Sequence, residues 1–263
     1  MPCISIDSYS PVITNRKIYK WVITTISRGF KKMSNDLTIV RKVVSKGREF
    51  YSEGTYGVSD SLKACSDAGY QALFMPELAM ARADADKDSR LWQTWFLAPS
   101  VRVTGRSKGG KPVVVYAHVP NSLSNPANIR KMIDDKALDN GAGPMPQEEF
   151  YGLLDREGDR VFVVDYNKLR ESKSDVIKVD EALTHPQTIP FLGGEQNAQA
   201  YLAKHKDVYG KKIGVWHSDD LKDGPVGRVL CLGGNGDYGL GGGNCLDFSG
   251  RVLGVAPEAQ VRQ

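Results

Sequence analysis

The 263-residue sequence predicts an α+β domain. Two observations carry the prediction. Helix-period segments alternate with strand-like runs through the middle of the chain, and from Lys212 onward the pattern is strand and loop alone. Helices first and short antiparallel strands last fit an α+β arrangement better than a parallel α/β sheet. Apolar residues at 41% and charged residues at 25% are ordinary globular values, and the length suffices for ample core.

In the first fifty residues, Ile18, Trp21, Val22, Ile26 and Phe30 recur at helical intervals, flanked by Lys17, Lys20, Arg28, Lys31 and Lys32. Such a helix either packs its apolar face into its own fold or offers it to a membrane or a partner. The apolar run is too short for a secretion signal, and no small-residue cleavage pattern follows. Residues 1–50 therefore read as a helical extension, and 51–263 as one domain.

Ser59 to Ala68 reads as a helix closed by Gly69, and Pro76 opens a second over Glu77 to Ala85. Trp95 to Thr104 and Pro112 to Val119 form a hairpin turning through Ser107–Lys111. A helix starts at Asn125-Pro126 and runs to about Leu138. Asp139 to Pro146, rich in Gly and Pro, reads as a linker or insertion. Gln147 to Arg156 is helical, Val161 to Tyr166 a buried strand, and Glu195 to Lys206 the last helix, its charge bias suiting the helix dipole. Lys212 to His217, Gly227 to Leu232 and Arg251 to Val255 are strands.

The net charge is +4 with no run of five basic residues, so no nucleic-acid footprint is expected. Cys3, Cys65, Cys231 and Cys245 show no CxxC and no zinc spacing, and spacing alone does not establish a Cys231–Cys245 disulfide. No apolar run of 18 residues is present to code a membrane span.

Three motifs are weighed and set aside. Gly234-Asn235-Gly236-Asp237-Tyr238-Gly239 matches G-x-G-x-x-G, but Leu240-Gly241-Gly242-Gly243 cannot open the helix a dinucleotide site requires. Gly233–Asp237 and Gly242–Asp247 approach the calcium-binding nonapeptide repeat, each with a defect, and two damaged turns do not make a β-roll. Trp216-His217-Ser218-Asp219-Asp220 offers His, Ser and Asp for a hydrolase, without a nucleophile elbow. Its plainer reading is a turn with Asp side chains capping backbone amides, with Trp216 in the core. A hydrolase and a calcium-binding structural module thus remain the alternatives to a binding protein.

The segment Val229 to Val255 is the most informative. It contains no Lys, Glu, Gln, Met or Trp, types that supply 48 of the 263 residues. A random window of this size would lack all five about once in two hundred tries. None of the five is reachable from an Asn codon by changing only its adenines, whereas Gly, Asp, Tyr, Ser, Cys, Phe and Leu all are. On this footprint the chain resembles the variable proteins of diversity-generating retroelements. The closing Gly250-Arg251-Val252-Leu253-Gly254-Val255 is similar to their last strand. Thr184 through Gly194 and Ile213 through Asp220 resemble their archaeal branch.

The resemblance implies a C-type-lectin fold, two helices flanking a small twisted antiparallel sheet, here with additional N-terminal and inserted helices. It implies a non-catalytic ligand-binding protein, without a cofactor, displaying a rewritable surface from Cys231 to Ser249. The display positions expected are Cys231, Gly233, Gly234, Asn235, Gly236, Asp237, Tyr238, Gly241, Gly242, Asn244, Cys245, Asp247, Phe248 and Ser249. Leu240, Leu246, Arg251 and Val255 are the expected framework. A loop held between two strands is a common binding architecture, and its mix of aromatic and adaptable polar residues is paratope-like. The expected partner is a protein or glycan, and that role implies display at a cell surface.

Overall fold

Strand β1 (Arg48–Ser52) is the first described element, running antiparallel to the last strand. The computed structural model describes residues 47–257 except Lys173 and Asp219. The amphipathic stretch from Ile18 to Phe30, Cys3 and most of the 1–50 extension lie outside the described residues.

Helix α1 (Gly57–Asp67) buries Val58, Leu62 and Cys65, spaced by four and three residues as one helical face demands. The short β2 (Gln71–Ala72) leads to α2 (Met75–Asp84), with Pro76 in its first turn, and α3 (Arg90–Gln93), capped by Ser89. The expected hairpin forms as β3 (Phe96–Arg106) and β4 (Pro112–Ala117), with the Ser107 amide bonding to Lys111 O at 2.9 Å. Asn125 caps α4 (Pro126–Asp134), which ends a turn earlier than Leu138.

Asp139 to Pro146 is not a linker. Its two-residue β5 (Gly143–Pro144) pairs with a central strand, and Leu246 N bonds to Gly141 O at 2.9 Å. Then come α5 (Gln147–Leu154), the half-buried β6 (Val161–Asp165), α6 (Tyr166–Arg170), β7 (Asp175–Lys178), α7 (Val179–Ala182) and α8 (Thr188–Leu192). The long α9 (Glu195–Tyr209) precedes β8 (Lys212–Trp216), β9 (Val226–Leu232), β10 (Leu240–Asn244) and β11 (Gly250–Val255). Strands β1, β2, β5, β7 and β10 are not anticipated by the sequence pattern.

The strands join one mixed sheet in the order β1-β11-β3-β9-β10-β8-β7. The β11–β3 and β10–β8 pairs are parallel and the remainder antiparallel. β3 divides at Pro99-Ser100, where its register on β9 shifts. Its first half lies between β11 and β9, its second between β9 and β4. Proline donates no ladder bond, so a bulge is where it is tolerated.

Both faces of this sheet are covered. Leu230 and Leu232 join the cluster containing α2, α8 and α9, while Val229 and Cys231 join the one containing α1, α4 and α5. Period-two alternation thus feeds two cores instead of one core and solvent. Two flanking helices understate the architecture: nine α-helices occur among the described residues.

Candidate functional site

The connection from β9 to β10 is a folded turn held by its own backbone and by neighbouring strands. Asn235 Oδ1 accepts from Tyr238 N at 3.0 Å, and Gly233 N donates to Gly239 O at 2.8 Å. From β8, Gly214 N donates to Gly236 O at 2.8 Å and Trp216 Nε1 to Asp237 O at 2.8 Å. A Cβ on Gly214 would lie 1.9 Å from Asp237 O, so that strand position must be glycine for the turn to dock.

Behind the turn, the buried Arg82 guanidinium donates to Gly233 O at 2.6 Å, Thr94 O at 2.7 Å and Leu232 O at 3.2 Å. One side chain thereby serves three backbone carbonyls, two of them, Thr94 and Gly233, outside the strands.

The second half of the segment is fixed at different points. Leu246 is fully buried, and Gly141, at φ +78°, leaves room for Cys245: a Cβ there would meet the Cys245 Cβ at 2.4 Å. Val58 N donates to Phe248 O at 3.0 Å and Gly54 N to Ser249 Oγ at 3.1 Å. Backbone atoms make most of these attachments, so the fold of the segment asks little of its side chains.

Between the two halves lies an open groove of about 770 Å³. Cys231 and Gly241 line it, together with Asn235, Tyr238, Phe248 and Ser249. Gly233, Gly234, Asn244 and Cys245 also contribute, and Gly243, not anticipated, joins them. Residues outside the 229–255 segment complete it: Trp95, Trp216, His217 and Ser218 lie on its walls. Trp216 is therefore half-buried and faces the groove, not the core.

The expected display positions separate by exposure. Asn235, Asp237, Tyr238, Asp247 and Phe248 are exposed, with Tyr238 at 67% and Phe248 at 66%. Gly234, Gly236, Gly241, Asn244, Cys245 and Ser249 are half-buried. Cys231, Gly233 and Gly242 are buried, and Gly236, Asp237, Gly242 and Asp247 do not line the groove. Added atoms at Gly233 or Gly234 would collide with Tyr238 or with the Thr94 backbone, so these two serve the turn's closure. Cys231 is 8% exposed, and burial pushes its thiol up to about 12. Cys65, Cys231 and Cys245 are free thiols, with no Cys231–Cys245 disulfide.

Of the framework residues, Leu240 and Leu246 are fully buried. Val255 is half-buried at the core's edge, and half-buried Arg251 pairs with Glu49 while its guanidinium lies 4.4 Å from the Tyr51 ring and 5.4 Å from Trp95.

Under β10 sits a buried ion cluster that the sequence does not announce as a unit. Asp220 accepts from Arg102 at 3.1 Å and from Arg228 at 3.0 and 3.1 Å. Arg228 continues to Gly243 O at 3.4 Å, tying the cluster to the variable segment. Burial alone would raise the Asp220 pKa, but Arg228, Ser218 and Arg102 together hold it below the usual carboxylate range.

Ser218 Oγ donates to this carboxylate at 2.7 Å. The serine of the proposed hydrolase site thus meets a pinned carboxylate, and the arrangement acts as a brace for the loop. Asp220 does not cap a backbone amide: its carboxylate bonds guanidiniums and a hydroxyl. The sequence signal was available in the two arginines: a charge within an apolar strand, as in VRVT and VGRVL, requires a buried partner. Among the described residues no three His, Cys, Asp or Glu side chains form a metal-ligand cluster, and no helix is long and apolar enough to cross a membrane.

No protein-family model matches the chain, and a search of curated proteins finds no match. A solved structure from Nanoarchaeota, concerned with accommodation of massive sequence variation by the C-type lectin fold, is 50% identical. The similarity covers 80% of this chain and 97% of that one, with a TM-score of 0.74. The α+β arrangement described above is thus a C-type lectin fold.

Proposed function

This chain belongs to the C-type-lectin-fold proteins that accommodate massive sequence variation, and we propose that its groove is a ligand-binding surface rewritten by adenine-directed retroelement mutagenesis. The observation that carries the reading is the coincidence of two independently defined features. The segment depleted in Lys, Glu, Gln, Met and Trp is also the one that supplies the two most exposed large aromatics among the described residues, on opposite halves of one groove. Tyr238 and Phe248 anchor the ligand, because aromatic side chains bury large area while ordering few torsions. The role is binding without catalysis, and the partner is a protein or glycan met at a cell surface.

The mutagenesis claim is tested in the flanking DNA. A near-copy of the coding segment, differing almost only at adenines and adjoining a reverse-transcriptase gene, supports it; its absence counts against it. The binding claim is tested by grafting a sister version of residues 231–249 onto this scaffold and screening both proteins against surface proteins and glycans. Different partners on an unchanged fold are expected. Identical targets at identical affinity would remove the segment from the binding site.

A further inference from the structure

A second recess lies beside the groove. Its volume is about 240 Å³, and Ser174, His217 and Ser218 line both spaces. Arg102, Arg170, Ser172, Tyr166 and Leu169 complete its lining, and among the described residues no carboxylate lines it. We propose that this recess is a subsite for an oxyanion, a carboxylate or phosphate group carried by whatever molecule occupies the groove. The inference rests on reading the groove as the ligand site and gives that ligand one fixed chemical requirement.

Charge balance is the first support. Arg102 and Arg228 share the single carboxylate of Asp220, at 3.1 and 3.0 Å, and all three residues are buried. Guanidinium does not deprotonate in proteins, so among the described residues one positive charge of this cluster has no counter-charge within it. A buried charge short of its partner is costly, and an anion beside Arg102 restores the balance.

Donor capacity is the second. Arg102 offers five N–H groups. Its hydrogen bonds go to Ser218 Oγ, Asp220 Oδ2 and Ser218 O, and its Nε has no partner.

The exposed Arg170 adds a further cation at the rim, its guanidinium 5.9 Å from the Tyr166 ring centroid. Its planar fork of donors suits bidentate binding of an oxyanion. Glu171 and Asp175 neighbour the recess along the chain without lining it, and Asp175 Oδ1 accepts from Val176 N at 2.7 Å. The volume is several times the ~30 Å³ that one water occupies, enough for an oxyanion and a short stem. Arg102, Arg170, Ser172, Ser174, His217 and Ser218 all lie outside the 229–255 segment, so the subsite persists whatever the variable residues become.

The full-length protein is titrated with sodium acetate and, separately, with inorganic phosphate, at constant ionic strength in chloride, while amide chemical shifts are followed. Saturating shifts centred on Ser172, Ser174, His217 and Ser218 are expected, with dissociation constants of about 1–10 mM. The tighter of the two anions identifies a planar or a tetrahedral preference. Arg170→Gln, at an exposed position, is expected to weaken binding about 10-fold at unchanged melting temperature. Combined Tyr238→Ala and Phe248→Ala are expected to leave anion affinity unaltered. Absence of saturating shifts with both anions at about 50 mM, or equal affinity in Arg170→Gln, overturns the proposal. The titration needs no groove ligand. A failed segment graft therefore sinks the groove reading alone, and a failed titration sinks the subsite alone.

Discussion

At the level of single residues, the variable segment divides into side chains the fold ignores and backbone positions it depends on. Tyr238 and Phe248 are mostly exposed, so Ala at both is expected to cost under about 0.5 kcal/mol each in chemical denaturation. Asn235 differs, because its side chain accepts from Tyr238 N; Asn235→Ala is expected to cost about 1 kcal/mol. Equal losses at all three would mean that exposure does not distinguish display from support. Gly214 is the converse case, outside the segment yet essential to it. Gly214→Ala puts a methyl into Asp237 O, and a loss of about 1–3 kcal/mol is expected, together with shifted resonances across residues 235–238. A neutral outcome in the melting curve would show that the turn does not dock on β8.

Among the elements, β10 decides how the surface is presented, and its support comes from buried charges on β3, β9 and the loop after β8. Asp220→Asn keeps the shape but removes the charge facing Arg102 and Arg228, leaving two buried guanidiniums without a counter-ion. A loss of about 3–5 kcal/mol is expected, with amide exchange near Gly243 rising because Arg228 no longer holds its carbonyl. Exchange that rises equally throughout the sheet would instead indicate general destabilisation. Helices α1, α2, α4, α5 and α9 and the β3–β4 hairpin were legible because capping residues, Pro76 and period-two alternation are local signals, whereas the short α3, α6, α7 and α8 carry too few residues to show a period. β10 was not legible: Gly241-Gly242-Gly243 has no side-chain period, and its strand identity comes from bonds to β9 and β8. The display set rests on a restricted residue alphabet, which carries no record of burial. That Cys231, Gly233 and Gly242 of this set are buried was not legible, because burial depends on which strands lie alongside.

Over the whole molecule, two buried histidines tie stability to pH. Burial lowers His118 to about 4, and burial with the nearby Arg82 charge lowers His205 to about 4, against an ordinary value of 6.5. The unfolded chain therefore binds more protons than the folded one between these values. Stability from both groups is fully present above about pH 6.5 and is lost as the pH falls toward 4, on the order of 3 kcal/mol for each. Asp220 contributes in a lower window, because its depressed pKa is felt only as pH drops below the ordinary carboxylate value of 3.8. Melting temperature is expected to fall steeply from pH 6.5 to 4, and less steeply in His205→Phe. An identical slope in that variant would exclude His205 from the linkage.

The sequence by itself determined the α+β class, most helix positions and the alternating strands, because periodicity and caps are written within a few residues of one another. Only the tertiary structure decided that Arg82 closes the display turn across 151 residues, that Arg102 and Arg228 converge on Asp220, and that Trp95 and Trp216 form walls of the groove. These depend on which strands become neighbours. That choice is made by burying both faces of one sheet at once, a property of the whole chain that no local pattern encodes.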